Sequence, residues 1–514
     1  MTVDEFRTLA GRLTALLDTD PAEAVRQARA IDLGGQGIEW LNSAWIRASI
    51  LVDGGAASAQ QDAVEEGADL FRALHEAHPG PQVSYNLANA LAARAGMPGD
   101  SGWLDHQERT RVWRAEARRH FWAAANDSTA DPSIRTQAWT NLANQFTYAY
   151  RLGEAHDARL AALAVDPRNG VAAGLAALDL LWLYERGGCS ELTRIEAVML
   201  ARVAREHENR VRAYAGARVA ERLAALADQL GEAPRRAENT DPFIRWVERE
   251  RLTLAPAVEL VDPSLGKLDW LMLPGILERE SPPSATMPPP VFAMFNVLKA
   301  DFILARDLAW RATQESGWPD TGRFADTLDY ATYGPDASAL VLAHRTALDL
   351  LDKVAVVVNH YFEVGLRPNK VYFGKIWRPD AEKKNGSSAL AGPVDAAIRA
   401  GAHALYGLVE LAEDYESEDG ILRPHKDLRN AGTHRFVVLH DLGDPKGARD
   451  APEVEHHDRD RYAREVLRAL RVARSAVQML ALAIRQHEDG LKQRASGMVG
   501  TLHVPDHDWM RGRA

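Results

Sequence analysis

The sequence is poor in features that mark several common protein classes. Its single cysteine, Cys189, excludes an intrachain disulfide and a cysteine-rich zinc site, and is typical of a reducing compartment. No run approaches about 18 apolar residues, so no membrane-spanning helix and no membrane partner are expected. The opening MTVDEFRTLAGRLTALL has early acidic residues and is unlike a secretory signal. We therefore expect a cytoplasmic protein.

Several catalytic motifs are also missing from the sequence. There is no G-x-x-x-x-G-K-[ST] or G-x-G-x-x-G phosphate loop and no G-x-S-x-G, so an NTPase, a dinucleotide enzyme and a serine hydrolase are not predicted. The segment EVEHHDRD (453–460) contains His456 and His457, but adjacent histidines in a polar loop usually point apart. No H-E-x-x-H spacing accompanies them, so neither a metal site nor a cofactor is predicted.

The charge balance is acidic. Lysine and arginine number 61 against 72 aspartate and glutamate residues, which gives a net charge of −11. This argues against a surface built throughout for nucleic acid, but it allows one local basic site. With 514 residues and 46% hydrophobic residues, the chain is long enough for two or more packed domains.

The region 1–235 is rich in alanine, leucine and arginine at helical spacing. SYNLANALAARAG, from Ser84, and AWTNLANQFTYAYRLG, from Ala138, share the sequence N-L-A-N and a later glycine. The second continues to Asp166-Pro167 in a pattern that resembles a tetratricopeptide (TPR) repeat, although the spacing exceeds the usual 34 residues. The alternative is an alanine-rich helical array of other ancestry. Both interpretations predict a helical solenoid, and solenoids usually present an extended surface that binds partners.

Proline-rich sequence separates this region from longer apolar helices. ERESPPSATMPPP ends at Pro290, so we place a connector at 236–290, a helical bundle at 291–490 and a tail at 491–514. Apolar periodicity predicts bundle helices over 291–313, 336–365, 394–415, 425–442 and 460–488, with Asp336 as an N-cap. The fold class predicted is all-α.

The segment KDLRNAGTHRFVVLHD (426–441) concentrates residues suited to chemistry on RNA. On a helix, Asn430 and His434 share a face, and Arg429 can reach towards it. Histidine transfers protons near neutral pH, and arginine binds phosphate oxygens. Gly432 would allow another backbone or a ligand to approach closely. One helix supplies only one well-placed histidine, so a symmetric dimer would complete the site.

These residues resemble the signature of the HEPN superfamily, R-x(4–6)-H with a polar residue after the arginine. Arg429, Asn430 and His434 match it. The wider stretch from about 245 to 485, including VYFGKIW, resembles a bacterial subfamily in which a TPR-type region precedes the HEPN domain. The resemblance implies a metal-independent ribonuclease with a dimeric site and a role in defence or growth arrest. It also implies a polar residue on an earlier helix facing the site, for which Asp352 and Asn359 are both candidates.

Other basic residues are candidates for RNA contact. In LRPNKVYFGKIWRP (366–379) the basic residues alternate with aromatic residues. Such a segment can bind phosphates while its aromatic rings stack on bases. The alternative is a loop whose aromatic side chains pack into the bundle. A second group forms a positive stripe on the predicted last helix, which would bind a polyanion. The alternative is a solvated helix face. The candidates are Arg367, Lys370, Lys375, Arg378, Lys426, Arg435, Arg464, Arg468 and Arg471.

Together these features predict an endoribonuclease that leaves 2′,3′-cyclic phosphate and 5′-hydroxyl ends. As the resemblance implies, it would be a toxin or antiviral-defence effector and a homodimer through its HEPN bundle. It would be regulated through its TPR-like region, where a protein partner is one candidate ligand. The alternative is a non-catalytic TPR/HEPN interaction protein or a nucleotide-binding scaffold.

Overall fold

A computed structural model describes most of the chain. The described residues are 3–34, 36–99, 101–185, 191–232, 239–255, 268–277, 287–314, 317–319, 321–379, 388–443, 451–495 and 504. They fall into two compact units, Met1–Arg236 with Glu416–Arg423, and Ala237–Tyr415 with Pro424–Ala514. The prediction of a mostly helical protein is confirmed. Within the described ranges, no helix is long and apolar enough to span a bilayer.

The first unit is a succession of helices in which each one contacts the next along the chain. The helices are α1 (Val3–Leu17), α2 (Pro21–Arg29), α3 (Ile38–Ala57), α4 (Gln61–Ala77), α5 (Pro81–Gly96), α6 (Trp103–Asn126), α7 (Pro132–Tyr148), α8 (Leu152–Val165), α9 (Gly170–Glu185), α10 (Glu191–Glu206), α11 (Glu208–Ala215) and α12 (Ala217–Leu230). The odd-numbered helices from α1 to α11 also contact one another in sequence. This pattern of local contacts is typical of a solenoid.

The two N-L-A-N segments lie on neighbouring odd-numbered helices, α5 and α7. Their leucines, Leu87 and Leu142, are buried, and the alanines that follow them have no exposed surface. Asn141 of the second segment donates a 2.8 Å hydrogen bond to the side-chain oxygen of Asn89 of the first. The small residues therefore allow close approach of the two helices, and the asparagines link them.

The second unit combines long helices with a small sheet. Its elements are α13 (Pro242–Glu250), α14 (Pro290–Ala312), β1 (Ala331–Thr332), α15 (Pro335–Tyr361), α16 (Gly392–Arg399), α17 (Ala404–Glu416), α18 (Arg423–His434), β2 (Phe436–His440), β3 (Val454–Asp458) and α19 (Arg459–Arg494). Helices α14, α15 and α19 pack on one another and carry the core. A buried polar side chain joins the connector to this core: Arg306 of α14 binds Asp269 through both carboxylate oxygens, at 2.8 and 2.6 Å.

The sheet has the order β1-β2-β3, with β1 antiparallel and β3 parallel to β2. Its central strand corrects the predicted helix 425–442, which ends at His434. The following sequence Phe-Val-Val-Leu is aromatic and β-branched, which favours an extended chain when a partner strand is available. That partner, Val454–Asp458, is the histidine-containing segment, so the expectation of a loop there is wrong.

Two smaller predictions also need correction. The predicted helix 394–415 is two helices, because Gly401 has a φ of 111°, a conformation that L-residues rarely adopt. Asp336 lies in the first turn of α15, and Gly334 occupies its N-cap position. Helices α14 and α19 agree with their predicted spans to within a few residues, except that α19 continues to Arg494.

Candidate functional site

Helix α18 carries the three predicted site residues. Pro424 fits its first turn, where the missing N–H costs no hydrogen bond. His425 and Ala431 form its buried face, whereas Asn430 and His434 are exposed. The side chains of Asn430 and His434 have no hydrogen-bond partner within the described part of the chain. The helix therefore presents them to solvent, with His434 as its last residue.

Arg429 is anchored instead of exposed. Its Nε donates a 2.8 Å hydrogen bond to Oδ1 of Asp349, and its Nη2 donates a 2.7 Å bond to Oδ2 of Asp352. The arginine side chain is only 24% exposed. Burial by itself would lower the pKa of Arg429, but Tyr415 and Asp352 outweigh it and raise that pKa above its ordinary value. The guanidinium is thus a fixed positive charge with a defined orientation.

The structure distinguishes the two candidates for a supporting polar residue on the earlier helix. Asp352 contacts Arg429 directly. The Asn359 side chain bonds the backbone N–H and C=O of Leu366, both at 2.9 Å, and so closes the turn after α15. Asp349 was missed by sequence reasoning, although its spacing of three from Asp352 places both carboxylates on one helix face.

Asp352→Asn should destabilise the protein more than Asp349→Asn does. The Asp352 carboxylate is 28% exposed and also accepts a 2.8 Å bond from the backbone N–H of Phe373, whereas Asp349 is 46% exposed. Hydrogen bonds to charged groups contribute about 1.5–3 kcal/mol, so we expect a loss of that size for Asp352→Asn and a smaller one for Asp349→Asn. Urea unfolding of both variants measures the difference; equal midpoints would contradict this account.

The basic and aromatic segment 366–379 is joined to the same site through that Phe373 bond. Phe373 and Trp377 are buried at 0% and 2% exposure, as the inward-packed alternative predicts, but Tyr372 is 52% exposed. Arg367, Lys370 and Lys375 are exposed, and Arg378 donates to the carbonyl of Ser388. Only Tyr372 is therefore accessible for base stacking among the three aromatic residues.

The remaining basic candidates differ in their surroundings. Arg464 is exposed and Lys426 half-buried, while Arg435 pairs with Glu455 of β3. Arg468 lies 4.0 Å from Glu465. Arg471 binds Glu250 at the end of α13, through its carboxylate at 2.6 Å and its backbone carbonyl at 3.0 Å. The predicted stripe is therefore interrupted at Arg471, which joins the bundle to helix α13 of the connector.

Gly432 lies close to helix α15. A side-chain carbon at this position would come within 3.2 Å of the Arg345 side chain and 3.4 Å of Val341. Val341 and Arg345 also line a cavity of about 210 Å³ between the start of α15 and β2. Arg345 thus adds a positive charge to this cavity. It is absent from the residues predicted from the sequence, because it belongs to no short motif.

A pair of buried histidines fixes the start of α18. Nε2 of His344 and Nδ1 of His425 are 3.3 Å apart, and both residues have almost no exposed surface. Burial, together with His457, lowers the pKa of His344 to about 4. Burial, Arg468 and His344 lower the pKa of His425 well below its ordinary value. Tyr462 packs on His344, and Glu465 lies 3.3 Å from His425.

Stability should therefore fall on acidification. An unfolded histidine binds a proton near pH 6.5, whereas folded His344 resists protonation until about pH 4, so stability is present above pH 6.5 and lost as the pH falls towards 4. We expect His344 to account for about 2 kcal/mol of loss between pH 7.5 and pH 5. His344→Gln should reduce the pH dependence of the urea midpoint by that amount. His360→Gln, at an exposed position on the same helix, should not; identical profiles for parent and His344→Gln would refute this assignment.

The part of the chain that contains this site is similar to a known protein family. Residues 283–487 match the family model described as LA2681-like HEPN, which covers the elements from α14 to most of α19. The match supports the HEPN superfamily for the C-terminal domain, and HEPN domains are commonly ribonucleases. A nuclease-like or nucleotide-binding role is therefore suggested for this domain. No curated protein matches the chain.

Proposed function

We propose that this protein is a metal-independent endoribonuclease whose site is formed by Arg429, Asn430 and His434. The observation that carries the proposal is the arrangement on α18, where an oriented arginine lies five residues before an exposed histidine inside the region that matches a HEPN model. His434 would transfer protons between the ribose 2′-hydroxyl, solvent and the leaving 5′-oxygen. Arg429 would stabilise the negative charge that develops on the phosphate.

The products would carry 2′,3′-cyclic phosphate and 5′-hydroxyl ends, because the attacking oxygen belongs to the ribose. An arginine has five N–H donors, and the carboxylates of Asp349 and Asp352 engage those on Nε and Nη2. The carboxylates would orient the guanidinium while RNA phosphate approaches from the side of His434. Tyr372, Arg367 and Lys370, exposed on the segment joined to Asp352, would hold the flanking nucleotides.

Each chain presents a single exposed histidine at the end of α18, so two copies would supply the separate acid and base that the reaction needs. Phe436, two residues after His434, is 72% exposed and would lie at such an interface. A symmetric homodimer would then place two sets of Arg429 and His434 together. The TPR-like region would bind a protein partner that controls the activity, as a toxin or antiviral-defence effector requires.

One observation favours a non-catalytic alternative. Two carboxylates already neutralise Arg429, which would suit a structural arginine in an interaction protein or a nucleotide-binding scaffold. Purified protein incubated with RNA in EDTA separates the two functions. Cleavage supports the ribonuclease, whereas RNA or nucleotide binding without cleavage supports the scaffold.

A further inference from the structure

Asp329, His440 and His456 come together at one end of the small sheet. One potential ligand atom from each residue lies within 4.8 Å of the other two. The register pairs His456 with Val438 and Ala331 with His440, so His440 and His456 are offset by two residues on adjacent strands and share a face. Asp329 lies two residues before Ala331. Three separate chain segments thus contribute to the cluster.

Hydrogen bonds prepare His440 to act as a ligand. Its Nδ1 lies 2.9 Å from the backbone carbonyl oxygen of Asp329, and because a carbonyl only accepts, Nδ1 must carry the proton. The Nε2 atom then has a lone pair, which is directed at Nδ1 of His456 at 2.9 Å. An imidazole that donates one N–H to a carbonyl and offers its other nitrogen is the usual arrangement of a metal-binding histidine.

The carboxylate of Asp329 is similarly oriented. Its Oδ1 accepts hydrogen bonds from the Thr327 hydroxyl and, at 3.3 Å, from the backbone N–H of Ala331. Both bonds engage Oδ1, so Oδ2 can serve a different partner. Leu328 and Tyr330, on either side of Asp329, have φ values of 60°, a conformation that costs a non-glycine residue about 1 kcal/mol or more. This backbone directs both the carbonyl and the carboxylate of Asp329 to the histidines.

We propose that Asp329, His440 and His456 bind a divalent transition-metal ion, with Zn²⁺ the best match. Two imidazole nitrogens and one carboxylate oxygen are ligands that Zn²⁺ accepts, and a water molecule would complete a tetrahedron. Two nitrogens bound to one tetrahedral Zn²⁺ lie about 3.3 Å apart. A small rotation of either ring from the 2.9 Å separation reaches that distance. The ion would connect β1, β2 and β3, and β2 begins two residues after His434.

This site goes beyond the proposed ribonuclease activity, and its role would be structural. The two adjacent histidines face opposite sides of the sheet because successive residues of a β-strand alternate. His456 faces His440, whereas His457 points to the other side of β3, where it contacts Glu455 at 3.3 Å and packs on Tyr462. His457 is therefore a matched control within the same strand.

The test is direct metal binding by the untagged full-length chain after chelator treatment, with Zn²⁺ as the titrant and Co²⁺ absorption as a report on coordination. We expect one ion per chain for the parent and for His457→Gln. His456→Gln and Asp329→Asn should each weaken binding at least about 10-fold, and the Zn²⁺-induced rise in melting temperature should disappear. Absence of a one-to-one complex in the parent, or equal affinity in His456→Gln and His457→Gln, would overturn the proposal.

Both test residues are partly exposed, which favours folding of the variants, whereas His440 is fully buried and its replacement is avoided. Circular dichroism of each variant before the titration verifies the fold. RNA cleavage by metal-free protein remains a separate assay, so failure of the metal proposal and failure of the ribonuclease proposal are distinguishable.

Discussion

His434→Ala should reduce RNA cleavage by at least about 100-fold, because general acid–base catalysis by a positioned side chain contributes roughly 10²–10⁴ in rate. The side chain is exposed at the end of α18, so its removal should change the free energy of unfolding by less than about 0.5 kcal/mol. A loss of rate in a folded protein would therefore report on chemistry and not on stability. The measurement is the single-turnover cleavage rate of an RNA substrate in EDTA.

His360→Ala is the matched control for this substitution. His360 is also an exposed histidine in the last turn of a helix, α15, within the same unit. Its removal should leave the cleavage rate within about twofold of the parent, since His360 lies eight residues after Asp352 on α15 and therefore about two turns from the contact with Arg429. Equal rates for His434→Ala and the parent would remove the basis for assigning catalysis to α18.

Arg306→Ala should be the most destabilising single substitution discussed for the C-terminal unit. The side chains of Arg306 and Asp269 are only 3% and 9% exposed, and Arg306 also donates a 2.7 Å hydrogen bond to the carbonyl of Leu252. Removing the arginine would leave a buried carboxylate unpaired, which costs about 3–5 kcal/mol. Without the arginine, Leu252 and Asp269 would lose these hydrogen bonds to α14, and Lys299, which donates a 2.8 Å bond to the carbonyl of Leu271, would remain as a polar contact of the same helix.

Arg311→Ala provides the comparison for this prediction. Arg311 lies on the same helix, but it is 51% exposed and pairs with the 40% exposed Asp307. Such surface pairs contribute about 0–1 kcal/mol, so a small change is expected. Urea unfolding, with hydrogen exchange of peptides from α14, measures both effects. Similar losses for the two arginines would show that the buried pair is not a principal contact.

The prediction from sequence was most successful where a long periodic pattern determines structure locally. The helices α14 and α19 follow from apolar residues at helical spacing, since each buries a continuous stripe against its neighbours. The strand β2 could not be recognised in the same way. Phe436–His440 becomes extended through pairing with residues that are distant in sequence, and a pattern within five residues does not reveal such a partner.

The candidate site shows the same division between local and long-range information. The shared face of Asn430 and His434 follows from a spacing of four on α18. The choice of Asp352 over Asn359 depends on how α15 packs against α18, and the grouping of His440 with His456 depends on strand register. The charge of Arg471 is visible in the sequence and suggests an RNA contact, whereas its bond to Glu250 depends on packing between distant segments.

The most direct test of the central claim is the chemistry of the RNA ends. Total RNA is incubated in EDTA with purified parent protein or with His434→Ala, and the new ends are mapped. The proposed mechanism predicts that the parent alone leaves 2′,3′-cyclic phosphate and 5′-hydroxyl ends at defined positions. Cleavage by both proteins to the same extent, or ends carrying 5′-phosphate, would contradict catalysis by Arg429 and His434.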